Sequence, residues 1–171
     1  METTRSLAIL LSVPEVHLLS GLESLAAQQA QAIPSPFIVY GSMDFEAFGE
    51  IEKSRAGKAV EVFIYASDRQ GDLPLNPEVT WKGVYIGCEA ASGGGRYRGK
   101  AIHRPTSTTL DRKPSAIFWR MTDLRRFETG MPIGKIQGLK KKAFFQPRFI
   151  PETPTLIEYP FHQNKWLMKK A

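Results

Sequence analysis

The stretch Thr80-Trp81-Lys82-Gly83-Val84-Tyr85-Ile86-Gly87-Cys88-Glu89-Ala90 is followed by the turn Ser92-Gly93-Gly94-Gly95. Next come Arg96-Tyr97-Arg98-Gly99-Lys100-Ala101-Ile102-His103-Arg104, a polar loop, and Ala116-Ile117-Phe118-Trp119-Arg120-Met121-Thr122. Two β-like runs joined by a glycine-rich turn predict a hairpin, and the third run predicts the strand that completes a small sheet. With a period of two, Trp81, Gly83, Tyr85 and Gly87 share one face of the first run, and Lys82, Val84, Ile86, Cys88 and Ala90 the other. The second set reads as a core face. On the first, bare backbone separates two aromatics, a spacing that suits a flat base stacked between them or glycines that relieve crowding in a bent sheet. Along the second run Arg96, Arg98, Lys100 and Arg104 fall on one face. The step of this stripe, about 6.7 Å, suits a row of phosphates. Exposed strands also carry such cations to block edge pairing.

Outward from this stretch, residues 60–66 are apolar at both parities and predict a central strand. Phe37-Ile38-Val39-Tyr40 predicts a strand ended by Gly41, and Phe45, Phe48 and Ile51 predict a short helix closed by Gly57. Leu19, Leu22, Ala26, Ala30 and Ile33, with Leu18 and Leu25 beside them, follow helical spacing. Ser12-Val13-Pro14-Glu15 has the form of a capping box, Ser20-x-x-Glu23 offers a second start, and Pro34 and Pro36 end the helix. Residues 5–12 fit a strand or the start of a helix. Asp123-Leu124-Arg125-Arg126-Phe127 reads as a helical turn, Ala143-Phe144-Phe145 as another strand, and residues 68–77 as a Gly/Pro/Asn loop. His17 reads as a surface or core-edge residue. The fold expected is α+β, a mixed and strongly bent sheet of at least five strands packed on a helix at 14–32. Val62, Ile64, Val84, Ile86 and Ile117 are expected to be buried. No repeat or linker divides the chain, so residues 1–171 read as one domain. It comprises a helical arm (1–36), a β core (37–150) and a Pro-rich basic tail (151–171).

A chain of 171 residues with 42% hydrophobic and 23% charged residues has globular composition, which excludes wholesale disorder. Its charge is uneven. Residues 96–148 hold fourteen Lys/Arg against Asp111, Asp123 and Glu128, so this stretch is +11 in a chain of net +6 and the remainder is −5. A field so lopsided suits a polyanion, nucleic acid first, or serves as a solvated basic face. The one cysteine, Cys88, excludes an internal disulfide and suits a reducing cytosol. The apolar run at 7–11 is too short for a signal-peptide core, and no stretch approaches the roughly 18 apolar residues of a membrane span. A soluble cytoplasmic protein is expected.

Gly94-x-x-x-x-Gly99-Lys100 has most of a phosphate loop, but Ala101 stands where a Ser or Thr would bind magnesium, and Pro105 stops the helix that must follow. His103 has the side-chain chemistry for acid–base work or for bonding a ligand, and equally for packing with a backbone partner. No Cys/His cluster or spaced carboxylate pair calls for a metal, and no cofactor motif is present. A Lys/Thr/Glu hydrolase set drawn from Lys82 or Lys100, a hydroxyl at 106–109 and Glu89 is compatible with the residues.

The order of elements resembles the PUA-like superfamily, which includes the EVE, ASCH and YTH domains. The resemblance runs through Glu61-Val62-Phe63-Ile64-Tyr65-Ala66-Ser67, Trp81-Lys82-Gly83-Val84-Tyr85-Ile86-Gly87, Arg104-Pro105-Thr106-Ser107-Thr108 and Ile117-Phe118-Trp119-Arg120-Met121-Thr122-Asp123-Leu124. It covers residues 37–150; the N-terminal helix and the basic tail lie outside it. It implies a small, partly open β-barrel that recognises RNA or a modified base, some ASCH members being hydrolases. The first reading is therefore a non-catalytic nucleic-acid-binding barrel, RNA ahead of DNA, with Trp81 and Tyr85 stacking. Arg96, Arg98, Lys100, His103, Arg104, Arg120, Lys140, Lys141 and Lys142 complete the expected contact set. A small hydrolase on the same barrel and a protein adaptor with a basic face are the alternatives.

Overall fold

The computed structural model describes residues 1–68, 77–110 and 112–161. The loop expected at 68–77 lies mostly outside the described residues, as do Asp111 and the tail beyond residue 161. In chain order the elements are β1 (Thr3–Pro14), α1 (Glu15–Ala30), β2 (Ile38–Ser42), α2 (Phe45–Arg55), β3 (Ala59–Ser67), β4 (Glu78–Ala90), β5 (Ile117–Pro132) and β6 (Thr155–Ile157). Short 3-10 turns stand at Ala101–His103, Thr106–Leu110 and Ile133–Lys135. The protein is α+β, with two helices among the described residues and a six-stranded mixed sheet ordered β2-β5-β4-β3-β1-β6. β1 and β3 run parallel and every other neighbouring pair antiparallel. β2 and β6 end the order, so the sheet does not close into a barrel.

The apolar residues of β3 at both parities have partners on both faces. Val60, Val62, Ile64 and Ala66 join a cluster with α1 and α2, while Phe63 and Tyr65 join a second one with Ile133, Ile136, Ile157 and Tyr159. Ile117 is buried as expected. On β4 the expected faces are reversed: Trp81, Gly83, Tyr85 and Gly87 point into the protein, and Val84 and Ile86 are only half-buried. The reason is interdigitation of large and small residues. A Cβ on Gly83 would meet Met121 Sδ, and Met121 Cγ at 2.8 Å, so a methionine fills the space above this glycine.

Four further expectations are corrected, and the open reading of residues 5–12 resolves as the strand β1. The helix α1 follows it without a side-chain cap; Ser12 Oγ donates instead to the Pro151 carbonyl. The buried face of α1 carries Leu18, Gly21 and Gln28, while Leu19 and Leu22 are exposed. Gly21 lets α1 approach β2 closely, since a side chain there would lie 2.6 Å from Tyr40 Oη and 2.9 Å from Ile38 Cδ1. Residues 123–127 belong to β5 instead of a helix, since their backbone is held by pairing with β4. Phe144 makes an isolated bridge to Gln137 in place of a strand.

The sheet is strongly curled. In a flat sheet β1 and β2 would stand four strand spacings apart, about 19 Å. Yet Ile38 and Tyr40 of β2 share one core cluster with Leu7, Ile9, Leu11 and Val13 of β1. Tyr40 Oη also donates to the carbonyl of His17, three residues past the end of β1, at 2.7 Å. Curling brings the ends of the two strands together and forms a cleft between them.

Candidate nucleic-acid interface

The 26-residue connection from β4 to β5 does not pair as a hairpin strand. Ser92 and Arg96 close a tight turn, in which Ser92 N–H donates to the Arg96 carbonyl at 2.9 Å and Arg96 N–H to Ser92 Oγ at 3.0 Å. Gly95 has φ +75 and lies so close to Pro114 that a Cβ would meet the proline Cα at 2.9 Å. The turn thus folds back on 114–115, and Ser115 N–H donates to the Gly95 carbonyl. Arg96, Arg98 and Lys100 are exposed on irregular chain, so the expected one-faced stripe with Arg104 does not exist. β4 pairs with β5 instead, a partner that offers a strand of 16 residues where the Gly-punctuated 96–100 segment offers five at most.

His103 packs inside. Its ring lies 3.9 Å from that of Phe37 at 11°, and Nδ1 is 3.3 Å from the Phe37 carbonyl, so it presents no open face to a strand of nucleic acid. Trp81 and Tyr85, the expected stacking pair, are wholly inaccessible. The Arg126 guanidinium lies 4.7 Å from the Trp81 ring, and Tyr85 Oη donates to Glu52 Oε2 at 2.6 Å. Their aromatic faces are spent on the core, which removes them from any contact set. Lys140, Lys141 and Lys142 are exposed in a turn beside β6, where Gly138 bridges Ile157 and Leu139 N–H donates to the Leu156 carbonyl. Arg120 is half-buried on β5, opposite Gly87.

Arg104 has the most distinctive setting. It caps the first 3-10 turn, donates Nη1–H to the Val39 carbonyl at 3.0 Å and lies 5.1 Å from the centre of the Phe118 ring. Burial holds its guanidinium below the usual arginine pKa, and the nearby Tyr97 and Tyr40 phenols oppose that shift. Arg104 also lines a cleft of about 340 Å³ at the joined ends of β1 and β2, with His17, Tyr40, Asp44, Lys113 and Trp119. Tyr40 and Trp119 are paired across β2 and β5, their rings 5.3 Å apart. Burial pushes the Tyr40 phenol far up, so it stays neutral. Neither aromatic was expected at a site from the sequence. The only sequence signal for them is that each ends an apolar run, and their pairing depends on strand order.

Lys82 donates to Glu61 Oε1 at 2.8 Å on the strand next door, so among the described residues it does not join Glu89 or the hydroxyls at 106–109 in a catalytic set. No group of three or more His, Cys, Asp or Glu able to hold a metal ion occurs among the described residues. None of the described helices is long and apolar enough to cross a membrane. Neither the models of known protein families nor the curated proteins contain a match to this chain.

Proposed function

We propose that this chain is a nucleic-acid-binding module of PUA-like kind, a partly open barrel that takes RNA ahead of DNA and acts in the cytoplasm. The observation that carries the reading is the half-buried Arg104 guanidinium, which lines a cleft with Lys113, Asp44 and Glu152 next to the exposed cations of the 91–116 connection. An arginine has five N–H donors, and among the described residues one hydrogen bond, to Val39, engages this one. The remaining donors suit phosphate oxygens or base carbonyls, and a partly desolvated guanidinium binds them more strongly than an exposed one. Lys113 lines the cleft beside Pro114 and Ser115, and Arg96 follows Gly95, whose carbonyl accepts from Ser115 N–H; Arg98 and Lys100 continue the same connection. The curl of the sheet supports the barrel part of the proposal, and the single free cysteine, Cys88, the cytoplasmic part.

A salt titration of RNA and DNA oligonucleotide binding tests it, wild type beside Arg104→Gln and the triple change of Arg96, Arg98 and Lys100 to Gln. Each lost phosphate contact lowers the slope of log affinity against log salt by about 0.7 on single strands, so the triple variant is expected to flatten it by roughly two units. Arg104→Gln removes charge-assisted bonds worth about 1.5–3 kcal/mol, a loss of roughly 10- to 150-fold in affinity. Thermal stability is the control for the triple variant, since exposed cations contribute little to folding. Arg104→Gln also loses the bond to Val39 and is compared with wild type at a temperature where both proteins are folded. Absence of binding by wild type at low salt refutes the proposal, and equal affinity for both polymers removes the RNA preference.

A further inference from the structure

β4 carries a bulge at residue 86. Tyr85 lies opposite Met121 and Gly87 opposite Arg120, so one extra residue stands on β4. Gly87 has φ +139, a conformation side chains rarely adopt. A Cβ placed there would lie 2.9 Å from Arg120 Nη2 and 3.4 Å from Arg55 Nη2. Two guanidinium groups therefore converge on the same point over bare backbone. Arg55 is held in place by its Nε–H and Nη2–H bonds to Glu52, at 2.8 and 3.1 Å, and by Nη1–H to the Lys58 carbonyl at 2.8 Å. Arg120 is not held this way. Its Nε is buried without a hydrogen-bond partner, and among the described residues no ion pair or hydrogen bond engages the group. Glu89 lies opposite Phe118, two residues along β5, and does not pair with it.

From this arrangement we infer that Arg120 and Arg55 form an oxyanion site over Gly87, built for a phosphate group. Glu52 neutralises Arg55, but Arg120 has no ion pair among the described residues, and a buried guanidinium N–H without an acceptor loses its hydration with nothing in return. A tetrahedral oxyanion removes that penalty: it accepts from the fork of Arg120 and from the second Nη2–H of Arg55, the one not given to Glu52, with no side chain at 87 in its path. A bulge with a glycine at its centre is a usual way for a sheet to re-aim side chains at a ligand. Tyr97, whose phenol feels the charges of Glu89, Arg120 and Arg104, stands at the same end of the sheet. The site is separate from the Arg104 cleft, and the inference does not rest on nucleic-acid binding. The phosphate belongs either to a polynucleotide backbone or to a small phosphate compound.

Thermal melts of the full chain decide the matter, in sodium phosphate and in sodium chloride of equal ionic strength, for wild type, Arg120→Met and Arg120→Lys. Phosphate at a hundredfold excess over Kd is expected to raise the wild-type Tm by roughly 5–10 °C. Arg120→Met is expected to abolish that rise while its own Tm in chloride stays level with wild type or exceeds it. Arg120→Lys keeps the charge but not the fork and retains part of the rise. Equal phosphate shifts in wild type and Arg120→Met, or no shift in either, overturn the inference. If Arg120→Met does not fold, Arg120→Lys alone decides, and an undiminished shift there is also fatal. The oligonucleotide titration then separates the sources. A slope lower by about 0.7 in the variant assigns the phosphate to a single strand, and an unchanged slope to a small compound. Failure of wild type to bind oligonucleotide leaves the phosphate melts informative, so the two proposals fail independently.

Discussion

Substituting Gly83 by alanine tests whether the bare backbone of β4 serves packing or a ligand. The new methyl would be placed against Met121 Sδ, 2.8 Å from Met121 Cγ and 3.4 Å from the Thr122 carbonyl oxygen. Met121 is completely buried, so its thioether cannot swing away without displacing Trp119 or Tyr85 in the same cluster. Overpacking of this kind costs about 1–3 kcal/mol. Replacing glycine in a strand returns about 0.5–1 kcal/mol through the unfolded chain, so the expected net loss is about 1 kcal/mol. For a chain of this size that is a Tm lower by roughly 2–4 °C. Met121→Ala alone is expected to cost about 2–5 kcal/mol by leaving a cavity. In the double variant the alanine at 83 occupies part of that cavity, so the combined loss should fall short of the sum by at least about 0.5 kcal/mol. Urea unfolding of the four proteins measures the cycle. Strict additivity, with a Gly83→Ala protein as stable as wild type and weaker in RNA binding, would refute the packing account and return Gly83 to a ligand.

Trp81→Ala is expected to lower stability by about 3–5 kcal/mol, because the whole side chain leaves the core, and chemical denaturation reads this directly. A variant of unchanged stability that loses RNA affinity would contradict that placement. Alkaline stability should reflect Tyr159, whose phenol is pushed up to about 12 by burial and then by its hydrogen bond to Glu61. The folded state favours the neutral phenol, so this contribution is complete below about pH 10 and lost as pH rises towards 12. Tyr159→Phe should flatten that part of a stability–pH curve, and an identical curve for both proteins would count against it.

Several elements were legible from local pattern alone. Residues 60–66 are apolar at both parities, and only a strand covered on both faces hides them all; Phe45, Phe48 and Ile51 have helical spacing between breaking residues. The charge excess of residues 96–148 is likewise a property of composition. The α+β class and the presence of a strongly bent sheet follow from such features. Long-range pairing was not legible. Whether 96–104 or 117–132 lies beside β4 depends on which segment offers a longer ladder and a better-packed face, and turn chemistry at 92–95 speaks for neither. The inside of β4 was hidden for the same reason, because a glycine between aromatics looks alike whether a base or a methionine fills it. Only strand order supplies Met121. The bulge at residue 86 then turns Gly87 towards Arg120, a juxtaposition that single-strand periodicity cannot express. Arg104 was identifiable as a cation, but its half-burial beside Tyr40 and Trp119 exists because the sheet curls until the ends of β1 and β2 meet. Local periodicity determined which segments carry charge and which must be hidden. The tertiary fold alone decided which of those charges lose their water, and desolvation is what makes a cation a binding group.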